Sequence, residues 1–555
     1  MRGLAGSNAL ARAAGRAAAL ALAASVVCAC GSEPAATGSP VVTATPMPWT
    51  PSPPPPVTPE PTAAPVSLPL AVVARYDDLR PNVTLDGLSS AVSAGTILIP
   101  CEVISLTLDA EALVPGPGTN CLPATQIADA LMTPASSAAS ASPEGGLPPA
   151  SLAGALPAGS LALLPPGLVE PQLKVLPIGE ADLFGAPKHR SLPYPLQAVA
   201  SPEIPGSAYE VADIRTLIST GDTCPDLGFS MLAVERKKGW DWTLSGGTAT
   251  YAGFKTDTRF PSPGGKGWSV PIVRVGKSHG EVADLISDND VSANDFECPM
   301  IPNWVQHYTG FVFTIDPRVA PLLADRGGVK VVTLGSNHIT NAGYDGVRKT
   351  IDYLDAAGIK HTGAGRTLAD ALAPAVVDVR GISFAFVGWD DIHGSASATA
   401  DHPGVAHMTD EYVCSSLQAA RQVADVVIAM PQWGWPEYHN TITKAQIAQR
   451  AHMFECGADG ILGSGTHWAS WASISPGPRG PRFAIGSHGN FYFDQNWSQE
   501  TMEGVVVEAT FSGTRLVQFR LHPYVIAHEA QPNLLDPSGD GRYVMQRVWS
   551  VSEVR

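Results

Sequence analysis

Two short runs place chemically versatile side chains at the ends of apolar stretches. Gly221-Asp222 follows Ile214-Arg215-Thr216-Leu217-Ile218-Ser219, and Gly335-Ser336-Asn337-His338 follows Val329-Lys330-Val331-Val332-Thr333-Leu334. Each pattern predicts a buried strand running into a glycine-containing turn that presents an acid, an amide or an imidazole. Four further runs have the same character: Asn294-Asp295-Phe296-Glu297-Cys298, Met430-Pro431-Gln432-Trp433-Gly434, Gly463-Ser464-Gly465-Thr466-His467-Trp468 and His488-Gly489-Asn490-Phe491. Carboxylates, amides and imidazoles together form a donor set for hard and borderline divalent ions, and they also move protons. The chemistry such a set fits is metal-assisted attack on a phosphoryl or carbonyl group.

The segments between these runs alternate between two periods. Val347, Ile351 and Leu354 recur at helical spacing over 344–357, with Gly358 at the stop position. A second helix is expected over 443–456, with Ile447, Ala451 and Phe454 on one face and Gly457 after it. Strands are expected over 376–379 and 383–387 around an Arg380-Gly381 turn, then over 426–430, 460–463 and 483–485, with edge strands over 505–507 and 516–521. Strand and helix alternation over 209–548 implies an α/β layered domain, in which ligands gather at strand ends. A smaller α/β domain of unknown ligand is expected over 67–205, interrupted by a Ser-, Ala-, Pro- and Gly-rich insertion at 134–152.

The chain of 555 residues carries a net charge of -16, from 35 Lys and Arg against 51 Asp and Glu. Such a surface repels phosphate backbones and argues against nucleic acid as a partner. Arg2, Arg12 and Arg16 precede an apolar stretch at 17–29 that is too short to span a bilayer. It ends in Val27-Cys28-Ala29-Cys30-Gly31-Ser32, which resembles a bacterial lipoprotein cleavage site with Cys30 as the lipidated residue. Residues 1–30 then form a signal peptide, and 31–66, rich in Pro and Thr, a disordered spacer. The expected location is extracytoplasmic and lipid-anchored to the cell membrane, with an ordinary secreted protein as the alternative. Either compartment permits disulfides. Six cysteines remain beyond the signal, and Cys101 with Cys121 is a reasonable local pair.

The motif set, taken in order, is similar to the CapA family of capsule and poly-γ-glutamate synthesis proteins, a branch resembling calcineurin-like metallophosphoesterases. The stretches that carry the resemblance are Gly221-Asp222, Asp295-Phe296-Glu297, Ser336-Asn337-His338-Ile339-Thr340-Asn341-Ala342-Gly343, Gln432-Trp433-Gly434 up to Tyr438, the run from Gly463 to His467, and Ser487-His488-Gly489-Asn490-Phe491. It spans 214–526 and does not reach 31–200. The resemblance implies a four-layer metallophosphoesterase-like α/β sandwich. It implies that Asp222, Glu297, Asn337 and His467 ligate one or two divalent ions (manganese, magnesium or zinc). His338 would serve as acid or electrostatic stabiliser, with Gln432, Asn490 and Cys224 as possible additional site residues.

The departures from the family pattern bear on that site. Gln432 replaces a His, Gly465 stands at another frequent His position, Thr466 replaces a Pro, Asn341 an Asp, and Asp295 an Asn. Cys224 either pairs with Cys298, tying two site loops together, or acts as a soft ligand. Two functions follow from the resemblance. One is a metal-dependent hydrolase or transferase acting on a cell-envelope polymer or its precursor. The other is a non-catalytic polymer-binding or assembly lipoprotein working with capsule synthesis and export proteins. Trp433, Trp435, Trp468 and Trp471 near the site are suited either to stacking on sugar rings or to packing.

Overall fold

The computed structural model describes residues 63–116, 119–133, 159–528 and 530–554. The signal segment 1–30, nearly all of the 31–66 spacer and the 134–152 insertion lie outside the described residues. Residues 63–555 form one compact unit.

Strand periodicity builds the layers. Along Ile214–Thr223, Leu217 faces one side and Ile218 the other. Along Ile382–Asp390, Phe384 and Phe386 alternate with Ala385, Val387 and Trp389; along Val426–Gln432, Val426, Ile428 and Met430 alternate with Val427 and Ala429. Because successive side chains point to opposite faces, each apolar strand covers two cores at once. Leu217, Val291 and Val331 from a ten-stranded mixed sheet meet Phe384, Ile428 and Leu462 from a seven-stranded sheet in one core between the sheets. Val347, Ile351 and Leu354 of the Gly343–Ala357 helix cover the outer face of the first sheet. Val413 and Leu417 of Asp410–Val423, with Met453 and Phe454 of Lys444–Glu455, cover the outer face of the second. The result is the expected four-layer α/β sandwich. No helix among the described residues is long and apolar enough to cross a membrane.

Two local expectations are corrected. The strands around 505–507 and 516–521 are interior, not edges. Glu503–Ser512 lies between Ile214–Thr223 and Arg515–Ala527, and the latter pairs onward with Gln531–Leu535. Val505 and Val507 fill the inter-sheet core while Val506 faces the helices, which is how a strand covered on both sides reads. The Lys444–Glu455 helix turns Gln446, Met453 and Phe454 inward and leaves Ile447 44% exposed, so only Phe454 of the expected face is buried.

The described residues between 66 and 200 form a four-stranded and a five-stranded sheet. Ala71, Val73, Leu164 and Val175 pack with Ile214 and Val517 of the larger layers. A buried polar cluster reinforces that seam. Arg520 donates from Nη1 to Asp182 Oδ2 (2.9 Å) and from Nη2 to the Val175 carbonyl (2.9 Å), while Gln518 Oε1 accepts the Val175 N–H (3.1 Å). Burial pushes the Glu508 carboxyl up, but Arg520 and His522 outweigh it and hold it down at about 2.

Arg520→Ala should cost about 3–5 kcal/mol in chemical denaturation, because Asp182 stays buried without its ion-pair partner and Glu508 keeps only His522. In the intact chain, Glu508 has a folded pKa of about 2 against an ordinary 4.5. Its contribution is therefore complete above pH 4.5 and is lost as pH falls towards 2. Unfolding midpoints measured across that window should show this acid slope in the wild type and its reduction in Arg520→Ala.

Candidate metal centre

Parallel strand ends from both sheets meet at the site. Ile214–Thr223, Val291–Phe296 and Val331–Thr333 are parallel neighbours in the larger sheet, as are Ile382–Asp390, Val426–Gln432 and Gly460–Leu462 in the smaller. Asp222 does not sit in a turn, as its sequence context suggests. The strand continues through it with a bulge after Thr220, and Asp222 lies in register between Asp295 and Asn490. A Cβ on Gly221 would stand 1.9 Å from the Gly489 carbonyl oxygen, so glycine is what lets the Asn490–Tyr492 strand come alongside.

Asp222, Glu297 and His467 are all buried and offer ligand atoms within 4.8 Å of one another. Asp295, also buried, belongs to the same cluster. Burial and then the Asp222 charge push the Glu297 carboxyl up to about 8. Burial, Glu297 and Asp222 push Asp295 well above the carboxylate range. Burial disfavours the His467 imidazolium, yet Asp222 and Glu297 outweigh it and raise its pKa to about 10. Both oxygens of Asp222, both of Asp295 and Oε2 of Glu297 are buried without a hydrogen-bond donor. Native proteins seldom leave such atoms unsatisfied, and a divalent cation would engage them together, so the donor set fits a metal.

The other candidates surround this cluster in distinct ways. His467 Nδ1 is 2.8 Å from Asn490 Oδ1, and Asn490 Nδ2 donates to the Thr501 carbonyl (3.0 Å). The Asn490 amide is thereby oriented, and it orients His467 in turn. Asp222 Oδ2 lies 3.0 Å from the same Nδ1 as a charge contact outside hydrogen-bond alignment. Gln432 donates from Nε2 to Glu297 Oε1 (3.2 Å) and accepts the Asn337 N–H at Oε1 (2.8 Å). Both ends of its amide are engaged within the protein, so it clamps the two sheets and positions Glu297 and Asn337. Cys224 is joined to Cys298 by a disulfide, which withdraws it as a soft ligand. Disulfides also join Cys101 to Cys121 and Cys414 to Cys456.

His338 stands on the cleft side of the cluster. Its Nδ1 is 3.1 Å from Asn341 Oδ1, which also accepts the Phe313 N–H (3.0 Å). That oxygen faces two donors, so the hydrogen-bond network assigns the ring proton to Nδ1 and leaves Nε2 as an acceptor. Burial pushes the His338 pKa down to about 4, with His467 adding to the effect.

Three residues at the site have no role assigned from the sequence. Asp295 stands in one of the chemically versatile runs and departs from the family pattern, but it carries no ligand role there. Asp390, fully buried and in register with Gln432, is pushed up to about 7 chiefly by burial. It follows an apolar run as Asp222 does, and that same signal would have found it. His488 donates from Nδ1 to the Gly463 carbonyl (2.9 Å) and keeps a buried Nε2 without a partner; no periodicity singles it out. Of the tryptophans, Trp433 and Trp471 are buried in the core, Trp468 lines a cleft of about 1050 Å³ above His338 and His467, and Trp435 is exposed.

A buried acid–imidazole cluster thus lies at the strand ends of a four-layer α/β sandwich. The chain belongs to the bacterial capsule synthesis protein PGA_cap family, whose model matches residues 216–495. It is 27% identical to the PGA biosynthesis protein CapA of Bacillus subtilis over 45% of this chain and 65% of that protein. It is 31% identical to the capsule biosynthesis protein CapA of Bacillus anthracis over 41% of this chain and 56% of that protein. The chain thus spans about three-fifths of the length of these two relatives. Among solved structures it is similar to the calcineurin-like phosphoesterase YfkN from Bacillus subtilis, at 12% identity and a TM-score of 0.28 over 61% of this chain and 97% of that one. It is also similar to the NAD nucleotidase of Haemophilus influenzae, at 12% identity and a TM-score of 0.32 over 62% and 57%.

Asn341→Asp should raise the His338 pKa from about 4 towards the ordinary 6.5, because a carboxylate at that contact favours the imidazolium. A histidine-selective NMR titration measures it, and an unmoved pKa would show that Asn341 does not set the ring's charge.

Proposed function

We propose that this protein is an extracytoplasmic accessory of capsule or poly-γ-glutamate synthesis and export. In this reading it acts by metal-dependent hydrolysis or transfer at a phosphoryl or acyl centre of a cell-envelope polymer or its precursor. The observation that carries the reading is the set of buried carboxylate oxygens without donors on Asp222, Asp295 and Glu297, gathered beside His467 at the base of an open cleft. Asp222, Glu297 and His467 would hold the ion, with Asn337 as the further ligand that the family resemblance implies. When bound, manganese, magnesium or zinc supplies Lewis acidity and an activated water. Asn490 fixes the orientation of His467, and Gln432 fixes Glu297 against Asn337. His338, neutral with its free lone pair at Nε2, is placed to accept a proton from a water or hydroxyl in the cleft, a different role from the acid or stabiliser expected from the family pattern.

A second reading has its own support. Gln432 and Gly465 occupy positions where the family carries histidines, and the Gln432 amide is engaged inward. On that reading the protein binds polymer or assembles partners with a degenerate metal site. Placement outside the cytoplasm draws support from the lipoprotein-like run ending at Cys30, from the three disulfides and from the family's membership in capsule synthesis.

Elemental analysis of residues 63–555, with hydrolysis of bis-p-nitrophenyl phosphate under added manganese, magnesium or zinc, separates the two readings. Near-stoichiometric metal that Asp222→Asn and Glu297→Gln abolish is expected. His338→Ala should keep the metal and lose turnover by roughly 10²–10⁴-fold. Absence of metal and of turnover with every ion would favour the binding reading. In cells, Cys30→Ser should move the protein from the membrane fraction to the soluble fraction; an unchanged distribution would count against lipid anchoring.

A further inference from the structure

The cleft above the acid cluster has a composition of its own. Its aromatic rings form a series leading away from His467. Tyr438 stacks on the His467 ring at 5.6 Å, Trp497 follows Tyr438 at 5.7 Å, and Phe260 lies 4.3 Å from Trp497. Trp268 and Trp468 form a second pair at 6.1 Å. Planar polar side chains, Gln495, Asn496 and Glu437 among them, are interleaved with these rings along the wall. Trp468 keeps a buried indole N–H with no acceptor.

Three ligand chemistries can be weighed against that lining. A γ-glutamyl chain carries one carboxylate per unit and needs a cationic track. The cations of the lining are Arg259, which is committed to Asp257 (2.7 Å) and to Asn496 Oδ1 (2.8 Å), and at the base the His467 imidazolium, which faces Asp222 (3.0 Å). Glu437 and Asp494 add negative charge along the wall, which repels such a chain. An acyl or isoprenoid chain prefers aliphatic walls, whereas Leu227 and Met231 are the aliphatic side chains here and the remaining apolar lining is mostly aromatic. A sugar ring presents an apolar C–H face for stacking and hydroxyls at its edge for amides, carboxylates and an indole N–H. The wall offers both.

We infer that this cleft binds neutral sugar rings, so that the substrate portion beside the reacting bond is a glycan and not a γ-glutamyl chain. The position of that bond rests on the metal-dependent reading above; the ligand of the cleft does not.

The test is calorimetric titration of residues 63–555, loaded with manganese. The probes are the hexamers of β-linked N-acetylglucosamine, β-linked glucose and α-linked glucose, the γ-glutamate hexamer and farnesyl phosphate. At least one neutral hexasaccharide should bind. Trp497→Ala should weaken it roughly tenfold, while Trp497→Phe retains most of the affinity. Unchanged metal content in Trp497→Ala confirms that the site still folds. Tighter binding of the γ-glutamate hexamer, binding of farnesyl phosphate alone, no response to any saccharide, or saccharide binding indifferent to Trp497→Ala would each overturn the inference. Asp222→Asn separates it from the catalytic reading, since that variant should lose metal but keep the glycan. Glycan binding without turnover in the wild type would count against catalysis and leave the cleft's ligand standing.

Discussion

Three carboxyl groups, on Asp222, Asp295 and Glu297, are buried within interaction distance of one another, and Asp222 and Glu297 share the imidazole of His467. Like charges taken out of water and held together are costly, and the fold supports them only because other contacts fix their positions. Sheet register sets Asp222 against Asp295. The Cys224–Cys298 disulfide joins a residue two beyond Asp222 to the one directly after Glu297. Gln432 reaches across from the second sheet to hold Glu297. The carboxyls cannot relax apart, so charge neutralisation has to come from protons, from His467 or from a cation.

That constraint explains why the substitutions away from the family pattern are compatible with an ordered site. Where a histidine would offer a ring nitrogen, Gln432 offers two hydrogen-bonding ends, and both are used inside the protein. The change exchanges a candidate ligand for a brace between the sheets. Asn341 in place of an acid acts similarly on His338: the contact that fixes the ring's tautomer persists, but the negative charge that would favour the imidazolium is gone. In both cases an amide preserves geometry while changing electrostatics.

Much of the framework was legible from local pattern. The 347, 351, 354 spacing, the hairpin at Arg380-Gly381 and the apolar run at 426–430 each encode an element whose partner need not be known. The failures came where the partner decides. The 505–507 run reads as an edge until Arg515–Ala527 is seen to cover it. Asp222 reads as a turn residue because the close approach of Gly489 to Gly221 is invisible in sequence. Within the site, Asp222, Glu297 and His467, three of the ligands that the family resemblance implies, are brought together. Asp390 was missed although it follows an apolar run as Asp222 does. The role of Gln432 depends on a contact 135 residues away, which no local pattern reports.

The two halves of the site make different demands on a ligand. The base is acidic and dry, and it favours a small cation that can replace protons on Glu297, Asp295 and His467, so ion uptake and proton loss are coupled there. The wall above is aromatic and polar without a free cationic track, and it favours a ligand that stacks and hydrogen-bonds without carrying repeated negative charge. A polyanion would gain attraction only at the ion and meet repulsion along the rest of the cleft. A neutral chain bearing one reactive group at its end meets both demands, because its charge would lie at the base and its rings along the wall.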